Sequence, residues 1–278
     1  MPSPPLERGR TCRHAPCVLI GPQGVARTEK QSVMLYTHPM RVAVVTPYFR
    51  ETDETLARCR ESVAAQTFQC THIFVADGFP NQALAKRISE HIVLPRPHAD
   101  AGNFARCAGA LSAASRGFDA VSFLDADNWY QPDHIASLVE LQTPTNAAVC
   151  TSGRSIHRLD GSMLLPLDPE SNGDTFADTS TQFFHRTAFH VLPVWGLMPR
   201  ELAPICDRIV WGAVLARKLP KAHSGRPTLA FRTQYSAHYA KAGEPPPPAA
   251  KTPQENGPAL AFWTAMPADE RRRLIFGA

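Results

Sequence analysis

Two carboxylates one residue apart, Asp125 and Asp127, close the segment Asp119-Ala-Val-Ser-Phe-Leu-Asp-Ala-Asp-Asn-Trp. Like charges placed together at the end of an apolar run suit a hard divalent cation such as Mg²⁺ or Mn²⁺, which takes carboxylate and phosphate oxygens together. The competing reading is local: Asp127 caps a turn and Asp125 is a solvated strand end. Two further apolar runs end in groups of similar potential, Thr46-Pro47-Tyr48-Phe49-Arg50-Glu51 and Ala76-Asp77-Gly78. An aromatic ring and a carboxylate there could hold a nucleobase by stacking and hydrogen bonding, although Asp-Gly is also a turn signal in its own right. Arg106, just inside a helix that opens near Gly102-Asn103, stands where phosphate is favoured, or lies solvated on an outer face.

The elements that position these groups alternate. Apolar runs at Val42–Val45, Ile73–Val75, Ile92–Leu94 and Ala120–Leu124 read as short buried strands. Between them lie helical stretches: one carries Leu56, Cys59 and Val63, one at 83–89 is capped by Asn81, and one runs from Asn103 to a stop at Gly117. This βαβα rhythm predicts a three-layer α/β sandwich with a mainly parallel sheet, in which ligands bind beyond the carboxyl ends of the strands. After Asp125 the rhythm changes. Pro132 opens a helix, Asp160-Gly161 marks a hairpin between 147–157 and 162–165, and strands are expected at 182–185 and 228–235 around a helix at 204–218. The sheet is therefore expected to become mixed.

Composition sets the outer limits. The chain has 278 residues, 44% hydrophobic and 19% charged, which supplies a core and excludes global disorder. No run approaches the roughly 18–20 apolar residues of a membrane span. The net charge of +4 comes with one short basic block, Arg271-Arg272-Arg273, and does not argue for nucleic acid. Seven cysteines without a CxxC pair fit neither a disulfide framework nor structural zinc, so a cytoplasmic, reducing setting is expected. Residues 1–40 lack periodicity and read as a disordered extension, ahead of a start at Met34 or Met40. The domain is expected to span 41–242. Pro245–Pro248 then reads as a stiff linker to a tail at 243–278, whose Trp263 and Phe276 dock back on the body or bind a partner.

Five segments in order resemble a family 2 glycosyltransferase of the GT-A fold: Val44-Val45-Thr46-Pro47-Tyr48, Cys59 to Thr67, Val75-Ala76-Asp77-Gly78, Ala105-Arg106-Cys107-Ala108-Gly109, and Phe123-Leu124-Asp125-Ala126-Asp127-Asn128. The resemblance implies that Asp125 and Asp127 hold Mn²⁺ or Mg²⁺ against a nucleoside-diphosphate sugar, UDP-linked by family habit. Thr46, Pro47, Tyr48, Glu51, Asp77, Arg106, Asp125 and Ala126 would surround that donor. It implies further that Asp207, in Cys206-Asp207-Arg208, is the base of an inverting transfer, that His238 completes the metal site, and that Asp178 and Thr179 meet the acceptor. Cys206 replaces the family's usual first acid, which keeps a noncatalytic sugar-nucleotide-binding relative in view. A Gln-x-x-Arg-Trp signature is absent from the sequence, which favours transfer of single sugars. The acceptor could be a glycan, a lipid-linked saccharide or a protein, with peripheral membrane association allowed. A metal-dependent nucleotidyltransferase should show a glycine-rich phosphate loop, and residues 46–51 contain no glycine. A D-x-D phosphatase would want Gly and Thr where Asn128 and Trp129 stand.

Overall fold

The computed structural model describes residues 40–277, so the expectation for the N-terminal extension lies outside the described residues. In chain order the elements are β1 (Val42–Tyr48), α1 (Asp53–Ala64), β2 (Thr71–Ala76), α2 (Gln82–Ala85), β3 (His91–Val93), α3 (Asn103–Ser115), β4 (Ala120–Phe123), β5 (Trp129–Tyr130) and α4 (His134–Thr145). They continue as β6 (Val149–His157), β7 (Met163–Leu165), β8 (Gln182–His185), α5 (Pro193–Leu197), α6 (Cys206–Ala216), β9 (Lys221–Arg232), α7 (Ser236–Ala242), α8 (Gly257–Ala265) and α9 (Ala268–Phe276).

The strands form one sheet in the order β3-β2-β1-β4-β8-β6-β9-β5, with β7 paired to β6. The half made of β3, β2, β1 and β4 is wholly parallel. β8 enters antiparallel to both β4 and β6, and β9 runs parallel to β6. β1 is buried along its whole length. Its side chains alternate between two cores: Ala43 and Val45 join Val75, Phe123 and Trp195 on one face, while Val42 and Val44 join Phe74, Ile135 and Leu138 on the other. A strand covered on both faces must be apolar throughout, which is why these runs read as continuous rather than alternating.

Local chemistry sets the ends that matter for the site. Thr52 caps α1 by accepting from the Thr55 N–H, and Asn81 caps α2 through Leu84 N–H at 2.8 Å. α3 opens after Gly102, whose φ of +81° is left-handed. It lies so close to the sheet that a Cβ on Gly109 would meet Val45 Cγ1 at 2.5 Å. The hairpin at Asp160-Gly161 forms as expected, with the Ser162 N–H donating to Asp160 Oδ1 at 2.9 Å.

Two expectations change, and an alternative left open for the tail is decided. The helix expected at 83–89 is only the single turn Gln82–Ala85, because Lys86 onward turns to feed β3. The last strand begins at Lys221 rather than Thr228, because pairing with β6 carries it past Gly225 and Pro227 with a shift of register. Of the two outcomes expected for the stretch after Pro248, docking back on the body is the one seen: Ala259, Met266, Leu274 and Ile275 are buried in the same core as Trp195 and Trp211. Arg217 fastens α9 by donating twice to the Ile275 carbonyl, from Nε at 2.9 Å and from its terminal nitrogen at 2.7 Å.

Candidate active site

The carboxyl ends of β1, β2 and β4 open onto a cleft of about 800 Å³, the size of a cofactor or nucleotide pocket. Pro47, Tyr48, Glu51, Asp77, Arg106, Asp125, Ala126, Asp127, Asp178, Thr179, Asp207 and His238 all line it. One sequence-predicted donor residue does not. Thr46 is fully buried, with its hydroxyl 2.8 Å from His72 Nε2 on the α1 side of the sheet, because its position in the strand alternation turns it from the cleft.

At the centre, the two carboxylates after β4 differ in their partners. Asp125 accepts a 2.6 Å bond from Arg106, and its own N–H donates to Ser180 Oγ at 3.1 Å. Arg106 is held from below by the Ala101 carbonyl and Asn103, and its guanidinium lies 5.0 Å from the Trp195 ring centroid. Asp127 has no ion-pair partner among the described residues. Burial, and then the neighbouring charge of Asp125, push its carboxyl up to about 6. A desolvated carboxylate beside another, both facing a cleft and one lacking a protein cation, is a hard-oxygen donor set that fits Mg²⁺ or Mn²⁺.

The strand ends expected to meet a nucleobase differ from that expectation in detail. Tyr48 is only 3% exposed; its ring stacks on His91 and its hydroxyl bonds to His91 Nε2 at 2.7 Å and the Asn81 N–H at 2.9 Å. Its ring faces are thus used within the protein, and Phe49, crossed edge-on by Phe79 at 4.9 Å, stands at the cleft instead. Asp77 lies on the cleft floor, with Oδ1 accepting from His98 N–H and Oδ2 from Ala99 N–H. The turn reading of Asp77-Gly78 therefore holds alongside any ligand contact: this carboxylate fixes the loop at 98–102 that leads into α3.

On the far wall, Asp207 occupies the first turn of α6, and burial raises its carboxyl above the ordinary range. Cys206 sits beside Arg106, its thiol pushed up to about 12 by burial, so it is a neutral group where an acid was expected. Asp178 is buried and accepts from Arg154 at 2.6 Å and from Ser180 N–H at 2.9 Å. Its polar turn entering β8 is structural as well as cleft-facing. His238 does not join Asp125 and Asp127. Its Nδ1 bonds to Thr233 Oγ1 at 2.7 Å, and its Nε2 lies 4.0 Å from Asp168. Burial, then the charge of Arg154, lower the imidazole to about 4, so it is neutral.

Asp168, Glu170 and His238 do come within 4.8 Å of one another. Protein cations already serve that cluster: Arg154 makes bonds of 2.9 and 2.7 Å to Asp168, and Lys241 lies 3.3 Å from Asp168 and 3.5 Å from Glu170. A metal there would have to displace them, so the cluster is a weaker cation site than the pair after β4.

Sequence reasoning missed Arg154, Arg232, Tyr235 and Lys251, which line the cleft from β6, the end of β9, the entry to α7 and the segment after Pro248. Lys251 is stitched to the strand end by its N–H to the Gln234 carbonyl at 2.6 Å and by Ser236 N–H to its own carbonyl at 2.9 Å. An arginine inside an otherwise small-residue strand was the available signal for Arg154. The others lie beyond the motif-bearing half.

Solved structures share this architecture. Residues 1–349 of S. aureus TarS in complex with UDP superpose with a TM-score of 0.52 at 13% identity, covering 73% of this chain and 63% of that one. The same TarS segment in complex with UDP-GlcNAc gives 0.51 at 11% identity, over 85% and 70%. Longer TarS gives 0.52 at 12%, of which the chain spans 38%. Identity this low speaks to the fold, which is GT-A. No curated protein matches by sequence. The family model described as glycosyl transferase family 2 matches residues 43–191, more than half of the chain. That match takes in β1 through β8 and the carboxylates at 125 and 127, and by it the chain belongs to glycosyl transferase family 2.

Proposed function

We propose that this glycosyltransferase moves a sugar from a nucleoside diphosphate, UDP in the first instance, to an acceptor hydroxyl with inversion. The observation that carries the reading is the convergence of Asp125, Asp127, Arg106 and Asp207 on one cleft at the carboxyl edge of the sheet. UDP and UDP-GlcNAc are bound by TarS, a structural neighbour, which supports a uridine nucleotide here. Asp125 and Asp127 would hold Mn²⁺ or Mg²⁺, which supplies Lewis-acid neutralisation of the departing diphosphate. Arg106 orients Asp125 and adds positive charge at the start of α3, where phosphate oxygens are favoured. Asp207 takes the acceptor hydroxyl proton; the freed oxygen bonds to the anomeric carbon as the carbon–oxygen bond to diphosphate breaks, its electron pair leaving with the diphosphate. A raised carboxyl suits that role, because its basicity lies closer to neutral pH. Asp77 and Phe49 frame the base, and Thr179 borders the acceptor end.

The test is calorimetric titration of UDP into the full chain with and without Mn²⁺, repeated on Asp125→Asn/Asp127→Asn. Metal-dependent binding that the double variant loses supports the assignment. A folded wild-type protein that ignores UDP, GDP, CMP and dTDP alike would overturn it. Nucleotide binding with no sugar released from any donor would favour the noncatalytic relative.

A further inference from the structure

Helix α8 breaks the rule the other surface helices obey. It is apolar all round, and residues 257–267 contain no charged side chain. Yet only one stripe is packed: Ala259 and Met266 are buried, and Trp263 rests partly against the same core. The rest of the circumference is open: Leu260, 47% exposed, and Phe262, 37% exposed, flank the packed stripe on its two edges, and Pro258, Ala261 and Ala265 are exposed between them. A helix with this composition is normally covered on every side. Its neighbour α9 is ordinary by comparison, burying Leu274 and Ile275 and showing charges to solvent.

Basic groups adjoin the apolar face. Arg271 lies over the Trp263 ring at 5.8 Å, and Arg272 follows it; neither has a carboxylate partner among the described residues, whereas Arg273 is taken up by Asp269 at 2.9 Å. Exposed Leu and Phe beside Trp and unpaired Arg is the composition of segments that lie in the interfacial layer of a bilayer, the apolar side chains among acyl chains and the guanidinium groups at anionic headgroups. The position is also informative. Pro253, Glu255 and Asn256, which lead directly into α8, line the cleft, and so do Ala203 and Pro204 of the short helical segment on which α8 packs.

We propose that α8, with Arg271 and Arg272, docks the protein on an anionic lipid surface and sets the mouth of the cleft against it. Resting on the glycosyltransferase reading, this places a lipid-linked acceptor within reach of Asp207. The docking itself does not depend on that reading, and the two can fail separately.

The experiment is sedimentation of the full chain with vesicles of phosphatidylcholine alone and of equimolar phosphatidylcholine and phosphatidylglycerol, comparing wild type with Leu260→Ser/Phe262→Ser and Arg271→Gln/Arg272→Gln. UDP titration and size-exclusion light scattering run on the same preparations. Expected are binding to the anionic vesicles that added salt weakens, a loss of about tenfold or more in the Leu260/Phe262 variant, and a smaller loss in the arginine variant. UDP binding should be unchanged in both. Wild type that stays in the supernatant, or a Leu260/Phe262 variant that sediments equally well, overturns the proposal. So does a wild-type dimer that this variant turns into a monomer, since the face would then be covered by a second copy. Vesicle binding without UDP binding would leave the docking intact and sink the donor reading instead.

Discussion

Replacing Arg154 with Met tests the link between the two halves of the cleft. The guanidinium is 5% exposed and donates to Asp168, whose carboxylate is fully buried, and to Asp178, whose carboxylate is 6% exposed. Met fills much of the same volume, so the loss is chiefly that of a cation between two carboxylates. Truncating one partner of a buried ion pair costs about 3–5 kcal/mol, because the other charge is stranded. Here Asp168 keeps Lys241 and the Glu170 N–H, and Asp178 keeps the Ser180 N–H, which holds the expectation near the middle of that range, about 4 kcal/mol. For a body of this size that corresponds to a melting point lower by about 10 °C. Urea unfolding at neutral pH, followed by tryptophan fluorescence, gives the value. Arg154→Met/Asp168→Asn/Asp178→Asn, which removes the stranded charges too, should recover a substantial part of the loss. Because Asp178 holds Ser180, and Ser180 receives the Asp125 N–H, Arg154→Met should also weaken UDP binding at conditions where the protein is still folded. A single variant within about 1 kcal/mol of wild type, or a triple variant no better than the single, would refute this account.

Asp207→Asn should keep metal-dependent UDP binding while lowering sugar transfer by about 100-fold or more, checked by calorimetry and by UDP release on one preparation. Since burial holds the Asp207 carboxyl above its ordinary range, transfer should fall as acid protonates it, at a pH higher than for an ordinary aspartate; a pH–rate profile flat down to about pH 4 would contradict the assignment. His134 is fully buried and its imidazole is lowered to about 3, so the folded state binds fewer protons than the unfolded one below the ordinary histidine value. Stability should therefore fall with acid, by about 2 kcal/mol from this group between neutrality and about pH 5, with His134→Gln showing the shallower slope in urea titrations. Gly109→Ala should cost about 1–3 kcal/mol by overpacking against Val45 and Val75, measured by the same unfolding assay.

The parallel half of the fold was legible because its central strands β1 and β4 are buried on both faces and each helix carries a cap or stop. Asn81, Gly117 and Asp160-Gly161 acted locally, as such residues do. The cleft's chemistry was legible where it follows a strand end, at Asp77, Asp125 and Asp127. What was not legible depended on distant partners. Thr46 and Tyr48 sit in a strand whose other residues, Val42–Val45 and Pro47, are all apolar, so no alternation betrays which way either side chain points. His238 followed a strand as expected, yet Thr233 and the charges around Asp168 turned it elsewhere. Four prolines read as a linker, which left open whether the tail returns to the core or meets a partner, and Arg154 became intelligible only once Asp168 and Asp178 were seen closing on it.

Among the described residues the two-residue strand β5 pairs with β9 and with no other strand. The turn carrying Asp125 and Asp127 therefore hangs between β4, which joins its partner β1 early in the chain, and a strand that must wait until Lys221–Arg232 has been made. Such distant pairings form late, after the local ones have set. During synthesis the parallel half can assemble as the chain emerges, while the seam through the two carboxylates closes only near the end. The geometry around the two carboxylates is thus tied to the synthesis of β9, and a nascent fragment ending before it would carry the family's motif without the seam that holds that motif in place.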